Sequence, residues 1–198
     1  MMILGITGGM GSGKSIVCEV LRIYRIPVYD ADKEAKALND SSIKIREQLT
    51  ALFGDDLYIE KKLDRQKLAG HIFGNRENLK AVNRIIHSEL AKHFLEWTKS
   101  MEPHPIVAID AAVLFEADFQ NHVDKIITVT APEEIRIKRV LKRDNLTKEQ
   151  IIARMASQIS EEAKVKMSHF TIINDNKTSI LNQIPIILCE IENSLKDR

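Results

Sequence analysis

The 198-residue chain has little cysteine, almost no net charge and no long apolar run. Its two cysteines, Cys18 and Cys189, are far apart and form no C-x-x-C pair, so a disulfide framework is not suggested. Both are expected as reduced, buried thiols. Six histidines show no metal-ligand spacing, so zinc is not suggested. Basic and acidic residues number 29 and 28, so no global field draws the chain to nucleic acid or to a membrane surface; any anion binding must be local. No apolar stretch approaches the ~20 residues of a membrane span. Internal repeats and low-complexity segments are also missing. What remains is a composition able to bury a sizeable core as one domain.

The segment that carries chemistry is Gly8-Gly9-Met10-Gly11-Ser12-Gly13-Lys14-Ser15, a full match to the phosphate-binding pattern G-x-x-x-x-G-K-[ST]. Ahead of it, Ile3–Thr7 reads as a buried strand. Behind it, Ile16, Val17, Val20, Leu21 and Tyr24 recur at helical spacing. Glycines let backbone N–H groups turn inward around phosphates, and the helix start adds partial positive charge. The candidate ATP contacts are Gly8, Gly9, Gly11, Ser12, Gly13, Lys14, Ser15 and Ile16. Lys14 is expected on the β/γ-phosphates, and the Ser15 hydroxyl on Mg²⁺. A strand that already belongs to this loop leaves no room for a cleaved leader, so the expected location is cytoplasmic.

Further strands are expected at Val28-Tyr29, Ile106–Ile109, Lys125–Thr130 and Phe170–Ile173. Near-continuous apolar runs alternating with helical pattern give an α/β fold, a three-layer P-loop NTPase architecture with a parallel sheet of about five strands flanked by helices. Between the second and third strands lies a long stretch with no convincing strand. There Leu79, Val82, Ile86, Leu90, Phe94 and Trp97 keep helical steps. It is far longer than a crossover needs and reads as a helical insertion bordering a second binding site. The expected single domain has its core at about 1–32, 104–135 and 167–198, the insertion at 33–103 and an Arg-rich lid at 136–166. Residues Ile180 to Leu195 form a final helix, in which Pro185 should introduce a kink or offset.

Three further groups of residues are candidates. Asp30-Ala31-Asp32 ends the second strand, where α/β sheets present ligand groups; one aspartate can accept a proton and the other can cap the next helix. Asp110 ends the third strand and is either a second metal candidate or a strand-end cap. Arg136, Arg139 and Arg143 share one face of a basic helix. Such a face is commonly only solvated, but after the fourth strand of a P-loop protein it also suits a lid that neutralises a transferring phosphoryl group. Thr147–Gln150 carries a capping-box pattern, so the lid is expected as two helices joined near 144–146. His87, alone on a helix, has little weight by chemistry.

A guanine-specific switch is excluded. Asn176-Lys177-Thr178-Ser179 lacks the aspartate of N-K-x-D, and no D-x-x-G follows a strand. A short P-loop chain with a helical insertion and a basic lid is a small-molecule or nucleotide kinase. More specifically, it resembles the dephospho-coenzyme A kinase family over essentially its whole length. The resemblance rests on Gly5–Ser15, Val28–Asp32, Leu63-Asp64-Arg65 with Leu68, Ala69 and Phe73, and Ile86-His87. It continues through Leu114-Phe115-Glu116, Arg139, Arg143-Asp144, Arg154, Gln158 and Asn174.

The resemblance implies transfer of the ATP γ-phosphate to the ribose 3′-hydroxyl of dephospho-CoA. It makes Asp32 the proposed base, with Lys14 and Arg139 as catalytic partners and Arg143 on ATP. Asp30, Asp32, Asp64, Arg65 and His87 would bind the acceptor, and the partners would be ATP and dephospho-CoA. Neither nucleic acid nor a membrane is expected, and the sequence leaves the oligomeric state open, with a monomer slightly favoured. The alternative is another small-molecule P-loop kinase acting on a nucleoside or its monophosphate. Ser88, Ala111–Val113, Arg136, His169 and Ile16 depart from the family pattern.

Overall fold

The computed structural model describes residues 1–196. Two compact units divide them. One is Met1–Tyr29 with the chain from Met101 onward; the other is Asp30–Ser100, against an expected insertion of 33–103.

The first unit contains the sheet. Strands β1 (Met2–Thr7), β2 (Val28–Asp30), β5 (Ile106–Asp110), β6 (Lys125–Thr130) and β7 (Phe170–Ile173) are ordered β2-β5-β1-β6-β7. The central strand β1 runs parallel to β5, with Met2 opposite Ile106 and Ile6 opposite Asp110. It also runs parallel to β6, which in turn runs parallel to β7. The strand residues are apolar on both faces because helices cover both. Met2, Leu4, Ile6, Ala108, Ile127 and Val129 join one core with Val17, Cys18 and Leu21 of helix α1 (Lys14–Ile23). Burial of aliphatic side chains of this kind contributes about 1.5–3 kcal/mol each. Helix α9 (Ile180–Lys196) supplies Ile184, Ile187, Leu188 and Ile191 to the same core. Pro185 lies inside α9, and the helix runs on without a break. As the sixth residue of α9 it forgoes one intrahelical N–H bond, to the Leu181 carbonyl.

Helices α6 (Glu133–Arg143), α7 (Lys148–Ala156) and α8 (Glu161–Met167) follow β6. The junction after Arg143 and the Thr147 capping box, reciprocated by Gln150, match the expected helix start, but the third helix, α8, corrects the expected pair: Ser160 caps a new start within the segment. The cysteines need a correction: Cys18 is buried but Cys189 is exposed, because it faces away from the stripe that α9 presents to the core.

The second unit is helical: α2 (Ala31–Ser41), α3 (Ile43–Phe53), α4 (Arg65–Ile72) and α5 (Arg76–Ser100). Its own core gathers Ile45, Leu49, Leu57, Leu68 and Val82. A short hairpin, β3 (Tyr58–Ile59) with β4 (Lys62–Leu63), corrects the expectation of no strand. Its turn residues Glu60 and Lys61 adopt φ values of 47° and 70°, a turn usually signalled by Asn-Gly. Here the sequence sends no such signal.

Candidate functional site

The helix that follows the loop starts with neither a side-chain cap nor an acid; α6, after Pro132, also lacks a side-chain cap but carries Glu133 and Glu134 in its first turn. The first amides of α2, α3, α4, α7 and α8 are capped by Asp30, Ser42, Asp64, Thr147 and Ser160. At α1 the N-cap is Gly13, no side chain caps the amides, and the first turn holds no acid. Uncapped N–H groups and the positive end of the helix dipole make an anion site. Gly13 has φ 92° and Gly11 φ 80°, so both need the left-handed freedom of glycine. A Cβ on Gly11 would also sit 2.5 Å from the Arg136 carbonyl oxygen.

Lys14 forms an ion pair with Asp110, and both side chains are largely buried. The register that sets Ile6 opposite Asp110 brings this carboxylate to the strand end beside the loop. Ser15, one residue along α1, adds a hydroxyl. A hydroxyl and one carboxylate suit Mg²⁺, which takes few protein ligands and fills its octahedron with water and phosphate oxygens. Among the described residues, no group of three or more His, Cys, Asp or Glu side chains could hold a metal.

The loop is gripped from outside along its length. Glu161 Oε1 accepts from the Gly9 N–H at 2.7 Å, and Gln158 Oε1 accepts from the Met10 N–H at 3.2 Å. Arg139 Nη1 donates to the carbonyls of Gly11 (3.3 Å) and Ser12 (3.2 Å). Its Nη2 donates to Asn174 O, Asn174 Oδ1 and Asn176 Oδ1. Asn174 Nδ2 donates to Ser12 O at 2.7 Å.

The three arginines of α6 therefore have separate surroundings. Arg136 is buried, its Nε donating to Ala131 O. Arg139 is bound to the loop. Arg143 is exposed and makes a bidentate pair with Asp144, both contacts at 2.9 Å. The hydrogen bonds of that pair raise the Arg143 pKa and lower that of Asp144. Behind the loop, Lys164 is fully buried; it pairs with Glu116 at 3.2 Å and donates to Ala112 O at 3.0 Å. Glu116 Oε1 also accepts from the Ile159 N–H, at 2.9 Å.

In the helical unit, Asp30 Oδ1 accepts from the Lys33 N–H at 2.9 Å, and Asp32 lies in the first turn of α2. Asp64 caps α4 through Gln66 and Lys67. Arg65 Nη2 donates to Asp40 Oδ2 (3.1 Å) and Lys36 O (3.3 Å). His87 is half-buried in the middle of α5. Motif reading gave no part to Glu161 or Lys164. The Ser160 cap announces their helix, but their partners lie far along the chain, where local pattern carries no signal.

Comparison with known proteins agrees with this geometry. The family model "CoaE: Dephospho-CoA kinase" matches residues 2–180. The dephospho-CoA kinase of Porphyromonas gingivalis is 41% identical over 189 residues, covering 95% of this chain and 93% of that one. Among solved structures, TT1252 from Thermus thermophilus superposes with a TM-score of 0.84 at 33% identity, covering 96% of this chain and 97% of that one. The dephospho-CoA kinase from Campylobacter jejuni gives 0.70 at 26%, with 97% and 98% covered.

Proposed function

The chain belongs to the dephospho-CoA kinase family, and from that premise we propose that it transfers the γ-phosphoryl group of ATP to the ribose 3′-hydroxyl of dephospho-CoA. It is a kinase that uses ATP as phosphoryl donor. The observation that carries the reading is the uncapped, acid-free start of α1 behind a complete P-loop, in a chain whose family phosphorylates dephospho-CoA. The resemblance makes Asp32 the acceptor of the hydroxyl proton, and its place in an exposed first turn is compatible with that role.

Lys14 pairs with Asp110, and its three ammonium donors would let it reach the β/γ-phosphates from beside that carboxylate. Mg²⁺ would rest on Ser15, with Asp110 on its water shell, and would supply charge neutralisation of the phosphates. Gly8, Gly9, Gly11, Ser12, Gly13, Ile16 and Arg143 complete the proposed ATP contacts. The Asp30–Ser100 unit, with Asp64, Arg65 and His87, is the proposed acceptor-binding part. Among the described residues no helix is long and apolar enough to cross a membrane.

A steady-state assay with dephospho-CoA against a panel of nucleosides and nucleoside monophosphates tests the reading. The expected result is a kcat/KM for dephospho-CoA at least about a hundredfold above every other acceptor, a gap of about 2.7 kcal/mol. Preference for a nucleoside or a monophosphate would overturn it.

A further inference from the structure

The two N–H groups at the front of the P-loop are taken up by the chain itself. The Glu161 carboxylate on Gly9 is the notable one, because a fixed negative charge beside a phosphate site should weaken nucleotide binding. Three observations show it is built in. Its second oxygen, Oε2, accepts from the Thr130 hydroxyl at 2.7 Å, tying it to the end of β6. The Arg136 guanidinium lies 3.7 Å away, and the two side chains are only 12% and 9% exposed. A Cβ on Gly9 would meet the Glu161 carboxylate and the Arg136 guanidinium, so a side chain there would displace the pair. The turn is closed from its other side by the Ser12 N–H, which donates to Gly9 O at 3.0 Å. Uncapped amides for phosphate lie instead at the start of α1, beyond this turn, so the proposed contact of Gly9 with ATP would not be made by its N–H.

We propose that Glu161 is a positioning residue for ATP, whose carboxylate, charge-balanced by Arg136, holds the first turn of the P-loop in its nucleotide-binding shape. Arg136 then has a task distinct from that of a lid arginine. It cancels the charge that Glu161 brings to the loop, and it is held in place by Ala131 O. The inference rests on the reading that this loop binds ATP, and extends it to residues that do not touch the nucleotide.

The test is calorimetric titration of MgATP into the full chain and its variants, with KM for ATP and kcat measured alongside. Glu161→Ala frees the turn and should weaken ATP binding about tenfold, as expected for loss of a charge-assisted hydrogen bond. KM should rise more than kcat falls. Glu161→Gln keeps an oxygen for the Gly9 N–H and should stay within about threefold of wild type. Arg136→Gln alone leaves the carboxylate uncompensated and should weaken binding about tenfold. Combining E161Q with R136Q should restore most of that loss, which a merely structural role for either residue would not do.

ATP binding by Glu161→Ala that is unchanged, or tighter because the carboxylate had been blocking the site, would overturn the proposal. Should that variant not fold, a double variant no better than Arg136→Gln would overturn it equally. Wild type that fails to bind ATP at all would instead sink the nucleotide reading.

Discussion

Glu116 and Lys164 form a buried ion pair whose loss can be worked out from the structure. Lys164 is fully buried, with Glu116 and the Ala112 carbonyl as partners. Replacing Glu116 by Met leaves an ammonium in an apolar setting with one neutral acceptor, and strands the Ile159 N–H. Breaking such a pair from one side costs about 3–5 kcal/mol. For a chain of this size each kcal/mol moves Tm by about 2–4 °C, so Glu116→Met should melt about 6–20 °C lower.

Lys164→Met should cost nearly as much, because it leaves the carboxylate without its cation. The double replacement removes both charges and fills the space with apolar side chains. What remains is one unsatisfied N–H, since Ala112 O keeps the Thr7 hydroxyl at 3.4 Å. An unpaired buried amide costs about 1–3 kcal/mol, so the double variant should be more stable than either single one. Urea denaturation of the four proteins closes the cycle, with the interaction energy read from the departure from additivity. Singles that each cost less than about 1 kcal/mol, or a double equal to their sum, would refute the account of the pair.

Three other outcomes follow from particular contacts. Asp32→Asn should lower kcat by about a hundredfold or more while leaving the ATP dissociation constant within about twofold; unchanged turnover would remove Asp32 as the proton acceptor. Arg139→Lys cannot span the loop carbonyls and Asn174 together, so ATP affinity and Tm should fall together. If only kcat fell, Arg139 would act directly on the phosphoryl group. His169 Nδ1 accepts from the Ile126 N–H, and desolvation, with Lys125 nearby, holds its pKa below 6.5. The unfolded chain therefore binds the proton more readily. Stability from this contact is complete above the unfolded pKa and falls as pH drops through it. Wild type should lose more urea resistance than His169→Asn between about pH 7.5 and about pH 5.5, and an equal loss would refute the assignment.

Local pattern made the catalytic loop and most of the sheet legible, for a physical reason. A P-loop needs strand, glycines and helix in one unbroken segment, so its geometry is written in adjacent residues. Parallel strands buried on both faces are apolar throughout, and Lys125–Thr130 and Phe170–Ile173 stand out against the helices around them. The hairpin at Tyr58–Leu63 was not legible, because Glu60 and Lys61 occupy left-handed positions without glycine or asparagine. The basic face of α6 was visible as a pattern, but its division among three arginines was not. Arg136 turns to Ala131 and Glu161, Arg139 to the loop, and Arg143 to its neighbour Asp144. Each choice depends on what tertiary packing places beside one turn of the helix, and periodicity cannot encode that.

The same contacts predict which part of the 136–166 segment moves. Helix α6 is fastened by Arg136 and Arg139 to Ala131 and to the P-loop. Helix α8 is fastened by Glu161 to Gly9 and Thr130, and by Lys164 to Ala112 and Glu116. Between them, α7 buries only Ile151, and a cavity of about 320 Å³ lies between its Ile152, Met155 and Ala156 and the Gly9 turn. A helix held by one buried apolar residue opens at low free-energy cost, whereas lifting α6 or α8 breaks the hydrogen bonds of Arg139, Glu161 and Lys164 and leaves their partners in the loop and sheet unpaired. Amide hydrogen exchange without nucleotide should therefore be fast across Lys148–Ala156 and slow across α6 and α8, with MgATP slowing the α7 amides most. Uniform exchange over the three helices would show that the segment moves as one body, and that the anchors on the P-loop do not hold.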